Sequence, residues 1–478
     1  MCGMITYYKT KVDSLFLLNQ INANYYKYQA EKAYRKKDWQ QCIYQFSGTL
    51  KHKATLTDFQ ADMFNDAKKQ LQLENFNKGK KIAVCGWDLS HNAAGRVLTL
   101  AELYQHCGYN TSIIGCVISS NPKRPKQLWE PMQLSDILCS FITVKDTAEL
   151  IYKAFDFVRS HPFDIIHLSK PRLPNLIIGR LYQLIWNTHI IMDVDDEELG
   201  FGQFDKGFLP KNTDITNIRS DYWLNKSVSL ANTFDAITVS NAALQFRYSG
   251  IVIPHVRDAN KFLPSKQLTL EMRKKYDVPP TQKVLLFFGT PKPHKGLIET
   301  AQALSQIKEN NFLFLIIGDF INKAFQDKLT AIKGVNFKFL PNQPYHSISE
   351  FVSMGDVCVI LQDTDSIISE YQLPAKLIDA LAMGLTVIST ETPALNSLIE
   401  DGVIIPTNKE QLPSTLIQVL SEPSRSAFNR DYFLQNLSTQ VFIPVLTGLL
   451  KKLRSQNHPI YSNKCYDIIT LTEYHPSP

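Results

Sequence analysis

Ser369-Glu-Tyr-Gln-Leu-Pro-Ala-Lys-Leu-Ile-Asp-Ala-Leu-Ala-Met-Gly-Leu-Thr-Val-Ile-Ser-Thr390 reads as a loop, a helix and a strand. Pro374 suits a helix entry, because its missing N–H would have no partner there anyway. Ala375 to Met383 is rich in helix formers, and Gly384 supplies a C′ stop. Thr386 to Ser389 then has the apolar, β-branched character of a buried strand. The helix entry offers free N–H groups and a partial positive charge, which suits an anion such as a diphosphate. Lys376 lies in that first turn and Asp379 one turn on.

A short apolar helix with a glycine stop can belong to any α/β core. What gives this one functional content lies upstream, in Phe287-Phe-Gly-Thr-Pro-Lys-Pro-His-Lys-Gly296. An apolar run, Val284 to Phe288, feeds a Gly/Pro loop carrying Lys292, His294 and Lys295, and a helix starts near Leu297. This second strand–loop–helix unit puts cations at the carboxyl end of its strand, where open α/β sheets bind ligands.

The pair of motifs resembles the donor-binding half of GT-B glycosyltransferases grouped as family 4. Those enzymes carry Gly-Arg-x4-Lys-Gly after one strand and Glu-x7-Glu later. The resemblance covers residues 80 to 450 in element order, with its sharpest motifs in 284 to 405. It implies two Rossmann-like domains facing across a cleft. On it, Gly289, Thr290, Lys292 and Lys295 line the diphosphate, and Lys295 matches the family lysine. The family arginine falls at Thr290, so Lys292 or Lys376 takes its place. The last acid of Glu-x7-Glu falls at Asp379, which would accept from the ribose hydroxyls. The first acid falls at Tyr371. Either Glu370 shifts in, or the backbone of Tyr371, Gln372 and Leu373 holds the sugar. The resulting Pro374-Ala-Lys376-Leu-Ile-Asp379 resembles a Pro-x-Lys-x-x-acid subgroup. Lys295 and Glu370 are the catalytic candidates that this resemblance implies.

The 478 residues allow two large domains and an extension, and 44% hydrophobic with 20% charged residues describes a globular chain with sizeable cores. The net charge of +6 is too modest to call for nucleic acid. Eight cysteines are scattered without metal-like spacing and no signal peptide is evident, which reads as reduced thiols in the cytoplasm. No apolar run is long enough to span a bilayer. A lipid-linked acceptor would therefore be met at the inner membrane surface. Cys2, which after Met removal would resemble the start of a class II glutamine amidotransferase, has no supporting motif downstream and is read as incidental.

Residues 1–78 read as a helical extension. Ala33, Tyr34, Trp39, Cys42, Ile43 and Phe46 give the spacing of one tetratricopeptide-like hairpin, docked as a helical pair on the next domain. Residues 79–255 read as the acceptor domain. There Ile82 to Gly86 is a strand, and Gly95-Arg96 at a helix start matches the first loop of GT-B enzymes, which approaches phosphate or acceptor. No G-x-G-x-x-G is present, which disfavours a dinucleotide site. Residues 121 to 135 read as a loop. Family 4 enzymes often place a second histidine where this chain has Ser169; Ser169 and Lys170 then project from a strand end, and His167 is a core residue. Asp193-Val-Asp195-Asp196-Glu-Glu198 is an acidic run after a strand. It reads either as a D-x-D metal site or, preferably, as an acceptor loop around Asp195 and Asp196 that binds sugar hydroxyls or a nearby cation. Residues 202 to 226 look irregular, as an acceptor lid would. His255 and Arg257 lie on the interdomain crossing and read either as substrate-facing or as linker residues.

Residues 256–430 read as the donor domain and 431–478 as a helix crossing back, then a polar tail. The resemblance implies a retaining hexosyltransferase that needs no metal or other cofactor, with a nucleotide-sugar donor and a saccharide or lipid-linked acceptor. A GT-B-like nucleotide-sugar epimerase and a non-catalytic scaffold are the rival readings.

Overall fold

The structure, a computed structural model, describes residues 2–52, 54–77, 81–120, 126–205, 209–307 and 312–455, with backbone alone for 2–18, 75–77 and 420. The tail after Ser455, the linker residues 78–80, the loop prolines Pro122 and Pro125, and Phe208 of the expected lid lie outside the described residues.

Two parallel sheets organise the chain. The first holds β1 (Lys81–Gly86), β2 (Asn110–Ile118), β3 (Cys139–Val144), β4 (Ile165–Ser169), β5 (His189–Val194), β6 (Ala236–Val239) and β7 (Ile251–Val252), in the order 3-2-1-4-5-6-7. The second holds β8 (Lys283–Phe288), β9 (Phe312–Ile317), β10 (Asn336–Leu340), β11 (Val357–Ile360), β12 (Thr386–Thr390) and β13 (Ile404–Thr407), in the order 10-9-8-11-12-13. Helices cover both faces, so the central strands read as unbroken apolar runs rather than alternating ones. Phe312–Ile317 is buried at every position. The strand order reverses between β1 and β4 and between β8 and β11, and the crevices beside these switch points are where such sheets bind ligands.

Both halves repeat one backbone device. Gly86 pairs with Gly115 where β1 runs beside β2, and a Cβ on Gly115 (φ +150) would lie 2.1 Å from the Gly86 carbonyl oxygen. Just past β8 and β9, a Cβ on Gly318 (φ +144) would lie 2.2 Å from that of Gly289. Only glycine tolerates both the close approach and the positive φ.

The N-terminal extension differs from a docked pair. It is three helices, Cys2–Arg35, Trp39–Lys51 and Asp58–Asn77. Their apolar face merges with the core of the first domain: Cys42, Ile43 and Phe46 share a cluster with Leu150 and Tyr182. Arg159 donates to Ser47 Oγ at 2.9 Å, and Lys68 to the Leu184 carbonyl at 2.7 Å. Two other readings also need correction. Residues 121–135 are not all loop, since Glu130–Gln133 forms a helical turn, and the expected lid contains the helix Asp221–Ser229 with Trp223 buried.

The chain crosses between domains twice. The first crossing follows β7; the second joins the helix Ser426–Asn436 to Thr439–Ser455, which packs on the helix Gly95–His106 of the first domain. Leu446, Leu449, Leu450 and Leu453 bury there, and at about 1.5–3 kcal/mol each they hold the helix in place.

Candidate active site

The cationic loop lies at the carboxyl end of β8. Gly289 (φ +109) turns the chain out of the strand, its N–H donating to the Ile317 carbonyl at 2.9 Å. Thr290 and Lys292 are exposed; Pro293–Lys295 makes one 3-10 turn, and Gly296 (φ +69) starts the helix Leu297–Ser305. Lys295 is half-buried, and burial together with Lys292 lowers its pKa. Lys376, in the first turn of Ala375–Ala382, lies 4.3 Å above the Phe287 ring. Burial first and Lys295 second push its ammonium down to about 8. Among the described residues, Lys292, Lys295 and Lys376 make no ion pair with a carboxylate. Like charges gathered without a counter-ion at a switch point, beside a helix N-terminus, make an anion site.

Facing this loop is the acidic segment that follows β5. Lys170 occupies its centre. The Nζ atom is 2.7 Å from Asp195, 2.7 Å from Asp196 and 3.1 Å from Glu198. The carboxylate oxygens of these three residues lie within 4.8 Å of one another, close enough to hold a metal ion, but the ammonium sits among them. Burial alone would lower the Lys170 pKa, yet the three carboxylates hold it well above the ordinary lysine range. Burial raises Asp195 to about 7, whereas Lys170 keeps Asp196 low against the same burial. Lys170 takes a left-handed backbone (φ +77) that places it here, clamped by Asn175, whose Nδ2 donates to the Lys170 carbonyl at 3.0 Å.

The first domain touches the segment that leads into Ala375–Ala382. Gln372 Nε2 donates to Asp196 Oδ1 at 2.9 Å, and Asn241 Nδ2 donates to the Tyr371 carbonyl at 2.8 Å. The Tyr371 ring lies 5.4 Å from the Arg247 guanidinium, while Leu373 belongs to the core of the second domain. Pro374 is the N-cap of the helix it precedes. Glu370 stands exposed on the short helix Ile367–Tyr371.

Several expected ligand contacts are taken up within the protein. Arg96 does not face the cleft: its guanidinium is buried, paired with both oxygens of Asp193 (2.9 and 2.7 Å) and donating to the Ile253 and Pro254 carbonyls. Gly95 simply opens its helix beside Trp129. Asp379 is not free either, since Arg257 Nε reaches its Oδ1 at 2.5 Å. Burial raises the Asp379 pKa while Arg257 pulls it down. Arg257, on the crossing, is thus engaged by Asp379, and burial next to Arg96 pushes His255 down to about 3. His167 is a core residue bonded to Tyr104 and Thr238, and the neighbouring Ser169 is buried, its hydroxyl without a hydrogen-bond partner among the described residues.

Sequence reasoning placed Arg172 beside Ser169 and Lys170 at a strand end but missed the aromatic and basic group it joins. Arg172 and Arg219 lie over Trp87, at 5.1 and 5.7 Å, and pair with Glu198 and Asp88. Nothing in the local spacing joins residues so far apart in the chain.

Two parallel-sheet α/β domains joined by a returning helix define the GT-B architecture of glycosyltransferases, and residues 269–432 match the family model "Glycosyl transferases group 1". Among relatives, WcaI of Escherichia coli (strain K12), provisionally named a colanic acid biosynthesis glycosyl transferase, is 26% identical over 177 residues. That alignment covers 35% of this chain and only 43% of the relative. Among solved structures, a glycosyltransferase of Rickettsia africae superposes with a TM-score of 0.61 at 15% identity, over 80% of this chain and 100% of that one. Anabaena HepE, solved with UDP-glucose, gives 0.59 at 15% identity, over 78% of this chain and 100% of its own. WaaG, a glycosyltransferase involved in lipopolysaccharide biosynthesis, gives 0.52 at 16%, over 77% and 100%.

Proposed function

We propose that this protein moves a hexose, or its N-acetylated form, from a nucleotide-sugar donor to a saccharide or lipid-linked acceptor, with retention of anomeric configuration. The observation that carries this reading is the trio Lys292, Lys295 and Lys376 at the second sheet's switch point, without an ion pair among the described residues and with Asp196 of the other domain near enough to act on Lys295. A departing nucleoside diphosphate gains charge as the glycosidic bond breaks, and ammonium groups fixed beside a helix N-terminus stabilise that charge without reorganising. Acceptor attack on the same face lets the leaving phosphate oxygen take the acceptor proton, so no protein base is required at Ser169. In this reading the lysines, not a metal, compensate the diphosphate, and Lys170 fills the acidic cluster. Asp379 serves the ribose with the oxygen that Arg257 leaves open. Family 4, in its Pro-x-Lys-x-x-acid form, is the grouping we infer.

The relatives named for colanic acid and lipopolysaccharide biosynthesis support a role in surface polysaccharide assembly, where a lipid-linked acceptor would bring the protein to the inner face of the cell membrane. No helix of the described residues is long and apolar enough to cross a membrane. The test is incubation with a panel of sugar nucleotides, with and without saccharide acceptors, reading nucleoside diphosphate release. Release that depends on acceptor, and is lost in Lys295→Ala and Asp379→Ala, is the expected result; full activity in both variants overturns the reading. The Arg257–Asp379 pair and the substituted positions Thr290, Tyr371 and Ser169 favour one alternative, a binding protein of the same fold. It predicts nucleotide binding without turnover.

A further inference from the structure

We propose that Gln362 reads the hydroxyl groups of the transferred sugar and so sets donor specificity. This rests on the nucleotide-sugar reading given above. Gln362 lies two residues past the end of β11, at the switch point between β8 and β11. Its backbone is pinned, since its N–H donates to Thr390 Oγ1 at 2.9 Å and its carbonyl accepts from the same hydroxyl at 3.4 Å. Its side chain is not: both carboxamide atoms, Oε1 and Nε2, are buried with no hydrogen-bond partner among the described residues. Burying an unpaired donor or acceptor costs about 1–3 kcal/mol, and here one side chain carries both. Such a group calls for a partner that completes it.

The neighbours fix which ligand. Leu361 packs against Gly296 of the lysine loop, a Cβ there falling 2.4 Å from the Leu361 Cβ. Burial, Lys295 and Lys292 lower the His294 pKa, and Asp363 is close enough to oppose them. Gln362 thus lies between two contacts with the diphosphate loop. The period of two along β11 puts Cys358 and Ile360 in the core that Leu373 and Leu377 share, and Leu361 in the opposite one, so Gln362 falls on the face of the helix carrying Lys376. A neutral carboxamide adds nothing to diphosphate neutralisation. It offers one acceptor and two donors, the complement of adjacent sugar hydroxyls. A second buried polar group without a partner among the described residues, the Thr392 hydroxyl, lies two residues past the next strand, β12. Two such groups past the ends of adjacent strands suit a ring with several hydroxyls.

The experiment compares two ligand classes on Gln362→Ala and the near-isosteric Gln362→Glu. UDP and GDP serve as nucleoside diphosphates, and UDP-glucose, UDP-N-acetylglucosamine and GDP-mannose as donors, with binding measured by calorimetry. In Gln362→Ala, nucleoside diphosphate affinity should stay within about twofold, which also shows that the protein is folded, whereas the added charge of Gln362→Glu should weaken sugar-nucleotide binding further than nucleoside diphosphate binding. Affinity for the preferred sugar nucleotide should fall about tenfold or more, the equivalent of one lost hydrogen-bonded contact of about 1.4 kcal/mol. Unchanged sugar-nucleotide affinity overturns the proposal. So does an equal loss for both ligand classes, which would move Gln362 to the base or the phosphates. If the unaltered protein bound none of these ligands, the glycosyltransferase reading itself would fall, an outcome distinct from either.

Discussion

Gln372 Nε2 and Asp196 Oδ1, 2.9 Å apart, join the loop expected to hold the donor to the acidic loop of the opposite domain. The bond ends on a carboxylate, and bonds to charged groups contribute about 1.5–3 kcal/mol. Asp196 also keeps Lys170, so Gln372→Ala leaves no carboxylate stranded. We therefore expect a small change in melting temperature but a donor KM raised about tenfold, together with a larger radius of gyration by small-angle scattering. An unchanged KM and radius would show that the contact does not govern closure.

Lys376 gives a pH signature. Its folded pKa, near 8, lies below that of an exposed lysine, so between there and about 10.4 the unfolded chain binds more protons and stability rises with pH. Nucleotide affinity runs the other way. An anion favours the charged ammonium, so nucleoside diphosphate affinity should hold below pH 8 and decline above it. Lys376→Arg, which stays charged, should remove the decline; titration calorimetry across pH 7 to 10 reads both.

Lys170 stands where a divalent cation would stand. Lys170→Met leaves Asp195, Asp196 and Glu198 buried together with no ammonium among them. Removing one side of a buried ion pair costs about 3–5 kcal/mol. The variant should melt well below the unaltered protein and be restored in part by millimolar Mg2+ or Mn2+, whereas the unaltered protein should shift little. Equal metal-induced shifts in both would show that Lys170 does not exclude the ion.

Arg257 links the first crossing to Asp379. In Arg257→Met the Asp379 carboxyl loses the charge that holds it down, and its pKa, already raised by burial, should rise further. A carboxyl that binds its proton more tightly in the folded state makes stability fall as pH climbs through the neutral range. Denaturant melts at pH 5 and 8 should therefore diverge more in the variant than in the unaltered protein.

The alternation of strands and helices was legible because strands covered on both faces leave apolar runs that a sequence displays directly: β8 and β12 lie where Val284 to Phe288 and Thr386 to Ser389 place them. The edge strand β3, Cys139–Val144, was not legible, since it is mostly half-exposed and mixes polar with apolar residues. The lysine loop announced itself through charge density and its glycines. The state of each charge did not, because neutralisation depends on partners far away in the chain. Arg96 looked like an anion ligand until Asp193, 97 residues on, was seen to hold it. Asp379 looked free until Arg257, 122 residues back, was seen to hold it. Gln362 carried no signal at all, as a glutamine after a strand is unremarkable until its carboxamide proves to be buried and unmatched.

The two crossings run side by side, with Arg257 bridged to Ser438 and the Thr439 N–H donating to the Arg257 carbonyl at 2.9 Å. A pair of parallel straps bends about one line and resists shear, as a door leaf does on its pins. Substrate entry would then be a swing of one half against the other, and Asp379, tethered to Arg257 on the pin, would travel least while the loop at Gln372, out at the latch, travels most.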